Sequence, residues 1–160
     1  MAKKPITEEN ALMRLEALCA RSERCRHEAR EKLRGWGIVG VPAEEIIKQL
    51  VKTRFIDDSR FARAFVNDKL KFSGYGRMKI RLLLVSKRVE SSIISEALSE
   101  IDEDEYQEVL ERIVALKGGR IEDVDTFEGR TKLYRYVMSR GFESDLAART
   151  VKEYCKRLRE

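Results

Sequence analysis

Apolar residues recur three and four positions apart along most of the chain, which is the spacing of amphipathic helices. The first such face predicts a helix from about Glu8 to Arg21, with Thr7 as its N-cap and acidic residues in its first turn. Similar faces predict helices over about 26–34, 43–52, 58–70, 91–99, 104–116 and 144–158, and further helices that begin near 77 and 130. Two prolines and a charged fraction of 38% favour an all-α fold of surface-exposed helices over a sheet.

Part of this pattern occurs three times. The segment that begins at Arg26 is matched by one that begins at Arg77, 51 positions later, and by one that begins at Arg130, 53 positions further on. The aligned apolar positions are Ala29, Ile80 and Leu133, then Leu33, Leu84 and Val137, then Ile38, Val89 and Phe142. Each copy is followed by a short break and another helix, so chance resemblance of short helices is a poor explanation.

The recurrence predicts three tandem three-helix repeats over 7–56, 57–101 and 102–160, preceded by a flexible tail over 1–6. A unit of about 50 residues buries too little surface to be comfortable alone. Stacking each repeat on the next would bury the remaining apolar faces and would form an elongated, curved body.

The segment Lys69–Val89, called the basic segment below, has an unusual composition. It contains no Asp or Glu, and its seven basic residues are Lys69, Lys71, Arg77, Lys79, Arg81, Lys87 and Arg88. Gly74-Tyr75-Gly76 predicts a turn before its helix, because glycine accepts backbone angles that other residues resist. A solvated helix face would also be rich in charge, but the absence of neutralising acids favours an anionic partner.

The helix of the basic segment has one charged side and two apolar strips. Arg77, Arg81 and Arg88 project within roughly 40° of one another on a helical wheel. The apolar strips contain Ile80, Leu83 and Leu84 on one side and Met78, Leu82 and Val85 on another. A helix that is apolar on two sides is either packed between neighbours or keeps one side for a partner.

Charge and cysteine content limit the class of protein. The formal net charge is +5, and residues 1–100 contain 21 Lys and Arg against 14 Asp and Glu. This distribution suits a polyanion such as a nucleic acid, or an acidic groove of a protein. Cys19, Cys25 and Cys155 form no secreted framework and indicate reduced thiols in a cytoplasmic protein. Without an apolar run near 18 residues or a signal-peptide core, we expect no membrane span.

No group of residues has the composition of a catalytic or metal site. The one histidine, His27, is predicted to lie on a helix surface, and the six-residue spacing of Cys19 and Cys25 is poor for zinc. Gly118-Gly119 lacks the Gly-Lys-Ser/Thr ending of a phosphate loop and predicts a turn between helices. We therefore expect a protein that is not an enzyme and that needs neither a metal nor another cofactor.

Two aromatic residues are candidates for contact with a partner. Trp36, between Gly35 and Gly37, is better explained as a core residue where two repeats meet. Tyr75 follows a turn among basic residues, and its position is consistent both with contact to a base or partner and with simple packing.

Three stretches carry a resemblance to a known family. They are ALCARSERCRHE at 17–28, RFIDDSRFARAFV at 54–66, and Gly74-Tyr75-Gly76 with Ile80 and Leu84 behind it. In these stretches, and over about 11–158 as a whole, the sequence resembles the RecX family, bacterial regulators of the RecA recombinase. The Asp-Asp turn followed by Arg-Phe-Ala and Phe-Val is the most specific motif. The sequence departs from the family pattern at Arg88, where a glycine commonly follows the lysine, and its third repeat is more divergent.

The resemblance implies three tandem three-helix repeats and a non-enzymatic regulator that binds the RecA filament on single-stranded DNA, and we expect the protein to be a monomer. Family members lie along the filament groove, bridge successive subunits and restrain ATP hydrolysis and strand exchange, which regulates DNA repair, recombination and the SOS response. Some members also bind DNA directly, so double-stranded DNA is a further candidate partner. Arginine can form paired bonds to acids or phosphates, and many weak contacts would make binding salt-sensitive.

On this interpretation the basic side of the first two repeats contacts the filament or its DNA. The expected contact residues are Arg24, Arg26, Arg30, Lys71, Tyr75, Arg77, Lys79, Arg81, Lys87 and Arg88. The main alternative is a stand-alone DNA-binding module that uses its middle helices as a helix-turn-helix does, with tight duplex binding in the absence of RecA. A helical scaffold for another acidic protein is the third hypothesis, and it predicts no DNA binding.

Overall fold

The computed structural model describes residues 5–160, and this part of the chain forms nine α-helices and no β-strand. The helices are α1 (Glu8–Arg21), α2 (Arg26–Gly35), α3 (Gly40–Lys52), α4 (Asp58–Lys71), α5 (Arg77–Ser86), α6 (Ser91–Ser99), α7 (Glu103–Gly118), α8 (Phe127–Ser139) and α9 (Ser144–Leu158). The predicted all-α repeat fold is therefore confirmed. Residues 1–4 of the predicted tail lie outside the described residues. Ile6, also in that tail, is partly buried against the hydrophobic core formed by α1, α2 and α3.

The described residues form two compact units. The first unit contains the chain up to Ala64 together with Leu84–Ser95, and the second contains Phe65–Leu83 together with Glu96–Glu160. Helices α4, α5 and α6 contribute residues to both units, so the basic segment is divided between them. Within residues 5–160, no helix combines the length and the apolar character needed to cross a membrane.

The core of the first unit is built mainly from α1, α2 and α3. Its fully buried side chains are Ala11, Leu15, Ala29, Leu33, Ala43, Ile46, Ile47, Leu50 and Ile56. Ala29 and Leu33 are among the apolar positions that align between the copies, whereas Ile56 lies between α3 and α4. Trp36 packs against the same core as a half-buried side chain, with the Arg14 guanidinium 5.7 Å from its ring centroid.

The core of the second unit is formed largely by α7, α8 and α9. Its most buried side chains include Tyr106, Leu110, Val114, Leu133, Val137, Phe142, Ala147 and Cys155. The rings of Tyr106 and Phe142 lie 5.4 Å apart in a tilted arrangement. This packing fixes the start of α7 against the turn that follows α8.

The three aligned helices α2, α5 and α8 end in the same kind of turn. Gly37, Arg88 and Gly141 all have positive φ, at 83°, 57° and 95°, and the apolar residue after each is buried. In the first two copies that apolar residue donates its backbone N–H five residues back, as Ile38 does to Leu33 at 2.8 Å. A left-handed residue followed by a buried apolar residue is a common end for a helix. The three copies therefore share a backbone conformation at this turn as well as a pattern of apolar residues.

Candidate interaction surface

The turn before α5 packs backbone to backbone against the turn after α8. The Gly76 N–H donates to the Arg140 carbonyl at 2.8 Å, and the Met78 N–H donates to the Gly141 carbonyl at 3.0 Å. A Cβ added to Gly76 would lie 2.5 Å from the Gly141 carbonyl group, and one added to Gly141 would lie 2.5 Å from the Lys79 nitrogen. We call this contact the second junction. It shows that these glycines permit a close approach of two chain segments, a role that sequence reasoning missed.

Tyr75 lies between cations of its own chain. The Lys79 ammonium is 4.3 Å from the centroid of its half-buried ring, and the Arg140 guanidinium is 4.5 Å from it. Arg140 also donates to the carbonyl of Ser73. These attractions between cations and the π-system hold the ring in the second junction. Packing is therefore one observed role of Tyr75, and its contact with a partner stays a prediction.

Arg77 is engaged at the second junction by two acidic residues and one aromatic ring. Its guanidinium forms ion pairs with Glu143 at 2.7 Å and with Glu103, and its Cζ lies 3.9 Å from the Tyr106 ring centroid. The Tyr106 hydroxyl accepts from the Arg77 N–H at 3.1 Å and donates to Glu143. Burial, reinforced by the hydrogen bond to Glu143, raises the pKa of the Tyr106 hydroxyl. Arg77 thus joins the start of α5 to α7 and to the start of α9.

Arg26 occupies the same repeat position but has a looser set of contacts. Its backbone N–H donates to Asp58 Oδ1 at 3.0 Å, and its Nε lies 3.8 Å from Asp58 Oδ2. Asp58 is the first residue of α4 and Glu103 is the first residue of α7, and each of these helices lies two helices after that of its arginine. The shared arginine position therefore links a middle helix to the first helix of the next repeat in two places. The third copy differs, because Arg130 lies 3.6 Å from Asp125, just before its own helix.

The start of α2 contacts the turn after α5, and we call this contact the first junction. Cys25, the N-cap residue of α2, places its Sγ 3.8 Å from the Lys87 carbonyl, and Lys87 Nζ lies 3.1 Å from Glu28. Burial raises the pKa of the Cys25 thiol to about 11, so the thiol stays protonated near neutral pH. The first junction uses side chains where the second uses glycine backbone.

Two other predicted contact residues, Arg30 and Lys71, have ion-pair partners within their own unit, and a third, Arg24, is half-buried. Arg30 Nε lies 2.7 Å from Glu44, and this paired bond raises the pKa of Arg30 and lowers the pKa of Glu44. Lys71 Nζ lies 3.1 Å from Glu105. Arg24 is half-buried, and its Nε is buried without a hydrogen-bond partner. These contacts are compatible with a stable surface, and a partner that binds there must exchange them for its own.

The structure places the ten predicted contact residues in two groups. The first unit contains Arg24, Arg26, Arg30, Lys87 and Arg88, and the second contains Lys71, Tyr75, Arg77, Lys79 and Arg81. The side chains of Arg26, Lys71, Arg81 and Arg88 are exposed, and those of the other six are half-buried. The exposed four are therefore the predicted contact residues that are most accessible to solvent.

The second apolar strip of α5 is exposed to solvent. Met78, Leu82 and Val85 keep 55%, 69% and 55% of their surface accessible, whereas Ile80 and Leu84 on the inner side are fully buried. Of the two explanations for a helix with two apolar strips, the structure therefore favours a side that is open to a partner.

Between residues 5 and 160, no cluster of three or more His, Cys, Asp and Glu side chains has an arrangement that could hold a metal ion. Asp57, in the most specific motif, accepts from the backbone N–H groups of Ser59 and Arg60 at 2.9 and 3.1 Å. Asp57 thus caps the start of α4.

Comparison with known proteins gives consistent results. Residues 57–98 match the family model described as "RecX, second three-helix domain". A protein named "Regulatory protein RecX" from Prosthecochloris aestuarii is 31% identical over 133 residues, which cover 82% of this chain and 84% of the relative. One of the same name from Clostridium botulinum (strain Eklund 17B / Type B) is 34% identical over 128 residues, which cover 79% of this chain and 59% of the relative. The chain thus spans less than two thirds of that longer relative.

Solved structures share the fold. The crystal structure of RecX from Lactobacillus salivarius matches with a TM-score of 0.78 and 22% identity, covering 91% of this chain and 95% of that one. A second crystal structure of regulatory protein RecX matches with a TM-score of 0.79 and 20% identity, covering 91% of this chain and 71% of that one. At these identities the structural match supports the arrangement of helices and nothing finer.

Proposed function

The chain belongs to the RecX family, and from that premise we propose that it binds the RecA filament on single-stranded DNA and restrains its ATPase, recombinase and strand-exchange activities. Relatives carry the name of regulatory proteins, which supports a regulatory rather than a catalytic role. In this proposal the protein acts in the cytoplasm as a monomer, without a cofactor. The DNA of the filament is contacted directly or through RecA.

The observation that carries this proposal is the acid-free basic segment. Its seven positive charges lie between positions 69 and 89 without an intervening Asp or Glu, and Arg81 and Arg88 have exposed side chains. A filament groove presents protein carboxylates and DNA phosphates, and arginine can form directional paired bonds to both. Charge attraction over several contacts supports an association that weakens as salt rises.

Solvent exposure and internal ion pairs separate the ten proposed contact residues by expected role. Arg81 and Arg88 are exposed and are proposed as the main contacts, with Arg26 and Lys71 next. Arg77 is only 22% exposed and holds two carboxylates of its own unit. A change at Arg77 would therefore disturb the fold, and it is unsuitable as a first test of binding.

The experiment that tests the function is a titration of the single-stranded-DNA-dependent ATPase of the cognate RecA at moderate salt. We expect inhibition at substoichiometric ratios. The double variant Arg81→Gln/Arg88→Gln should require about ten-fold more protein, because two charge contacts are removed. The control Arg120→Gln/Arg135→Gln removes the same charge from exposed positions outside the proposed surface and should inhibit as wild type does.

Each other outcome points to a different function. An unchanged ATPase together with tight DNA binding would replace the proposal by the stand-alone DNA-binding module. An unchanged ATPase without DNA binding would favour the scaffold for another acidic protein. Equal loss in both double variants would show that total charge, rather than the basic segment, governs inhibition.

A further inference from the structure

Helix α5 exposes an apolar face made of Met78, Leu82 and Val85, called the α5 apolar face below. The three residues lie at i, i+4 and i+7, so they project from one side of the helix over two turns. All three side chains are more than half accessible to solvent. Single exposed apolar residues are ordinary, but a contiguous strip on one helix is typical of a docking surface.

The charges beside this face limit what can cover it. Arg81 lies between the strip residues in sequence, Arg88 follows them, and both are exposed. The basic segment itself contains no Asp or Glu, so its own charge is positive. A second copy of the chain would bring like charges together across the contact, which disfavours self-association. The complementary surface is an apolar groove rimmed by Asp and Glu.

The side-chain chemistry separates protein from nucleic acid. Phosphate groups satisfy arginine but offer no apolar surface to Met78, Leu82 and Val85. Exposed single-stranded bases are bound mainly by aromatic side chains, and the strip contains none. We propose that the α5 apolar face docks into an acid-rimmed apolar groove of a partner protein. This inference rests on the proposed function, and there the partner is the protein subunit of the filament rather than its DNA.

The test compares two matched double variants. Met78→Gln/Leu82→Gln changes the α5 apolar face, while Met13→Gln/Leu116→Gln changes equally exposed residues on α1 and α7, with accessibilities of 60% and 57%. Glutamine has a helix propensity close to that of the residues it replaces, so both variants should keep the far-UV circular dichroism of wild type. Fluorescence anisotropy then gives the affinity of each labelled protein for RecA filaments and for bare single-stranded DNA.

We expect Met78→Gln/Leu82→Gln to bind filaments at least ten-fold more weakly, because apolar anchors contribute strongly at interface centres. Its affinity for bare single-stranded DNA should stay within two-fold of wild type. The control variant should stay within two-fold of wild type in both measurements. Filament binding of the α5 variant should also remain weak at low salt, since charge attraction does not replace the lost apolar contact.

Three results would overturn the inference. Filament affinity within two-fold of wild type would show that the α5 apolar face is not used. An equal loss of affinity for filaments and bare DNA would assign the face to nucleic acid. Dimerisation of wild type that the α5 variant abolishes would assign it to a second copy. Failure of wild-type protein itself to bind filaments is a separate result, because it removes the proposed function together with this docking role.

Discussion

The two junctions occupy equivalent places in the repeat but are built differently. In the first, Cys25 and Arg88 stand where the second has Gly76 and Gly141, and the Cys25 sulfur lies 3.8 Å from the Lys87 carbonyl oxygen. In the second, two backbone hydrogen bonds join the segments directly. The side chain of Arg26, which contacts α4 beside the first junction, is 52% exposed, whereas that of Arg77, which contacts α7 at the second junction, is 22% exposed.

This difference shows that equivalent positions of the repeat can be used for internal packing in one copy and can remain accessible in another. The second junction needs glycine because any Cβ would meet backbone atoms. The first junction is held by side chains, so Arg88 can keep a basic group in a backbone conformation that favours glycine. The looser junction leaves more charge available to a partner, and the tighter one uses its charge internally.

The largest expected effect is at the backbone contact of the second junction. Gly141→Ala should lower the free energy of unfolding by about 3 kcal/mol, because the new Cβ overlaps Lys79 and positive φ is unfavourable for alanine. Arg88→Gly, the equivalent site of the first junction, should change it by less than about 1 kcal/mol and in the stabilising direction. Urea unfolding monitored by circular dichroism measures both. Equal destabilisation by the two variants would contradict the distinction between the junctions.

The linking arginines give the next largest difference. Arg77→Ala should lower the free energy of unfolding by about 2 kcal/mol, because it leaves the half-buried carboxylate of Glu143 without its cation. Arg26→Ala is the matched control and should cost only about 0.5 kcal/mol, because its side-chain pair with Asp58 is loose at 3.8 Å and the backbone N–H that binds the Asp58 carboxylate is kept. The same urea titration compares them. A larger loss for Arg26 would reverse the assignment of structural and exposed roles.

The smallest effect concerns a single hydroxyl. Tyr106→Phe removes the donor to Glu143 and the acceptor for the Arg77 N–H, and should cost about 1 kcal/mol at neutral pH. Because the folded-state pKa of Tyr106 is raised, folding favours the protonated phenol. The hydroxyl's contribution is therefore complete below about pH 10, the ordinary tyrosine pKa, and is lost as the pH rises above it. Unfolding free energies of wild type and variant at pH 8 and 11 should converge at the higher pH, and a constant difference would contradict this.

Local features of the fold could be predicted from sequence because they depend on nearby residues. The apolar spacing identified the helices, Thr7 accepts a bond from the Asn10 N–H at 3.1 Å as a cap should, and the threefold recurrence identified the repeat. For the strip Met78, Leu82 and Val85, the sequence left two alternatives open, packing against a neighbouring helix or exposure to a partner. Helical periodicity does not show which apolar strip packs against the rest of the chain.

Long-range pairing could not be predicted in the same way. Arg77 meets Glu103 and Glu143, which are 26 and 66 residues away, and no single sequence shows which of 28 acids lies beside which cation. The need for glycine at position 76 likewise comes from the backbone of Gly141, which is distant in sequence. The alignment of Arg88 with Gly37 and Gly141 is the sequence signal that this position accepts different residues in different copies.

The buried thiol of Cys25 offers a way to observe the first junction in motion. Its side chain is fully buried, and its thiol is protonated near neutral pH, so a thiol-specific reagent reacts only when the start of α2 separates from the Lys87 carbonyl. Cys19 and Cys155 are also free thiols, so the labelling rate is read at Cys25 by mass spectrometry of the peptide that contains it. That rate counts opening events at this contact. Slower labelling in the presence of a bound partner would mean that binding closes this junction.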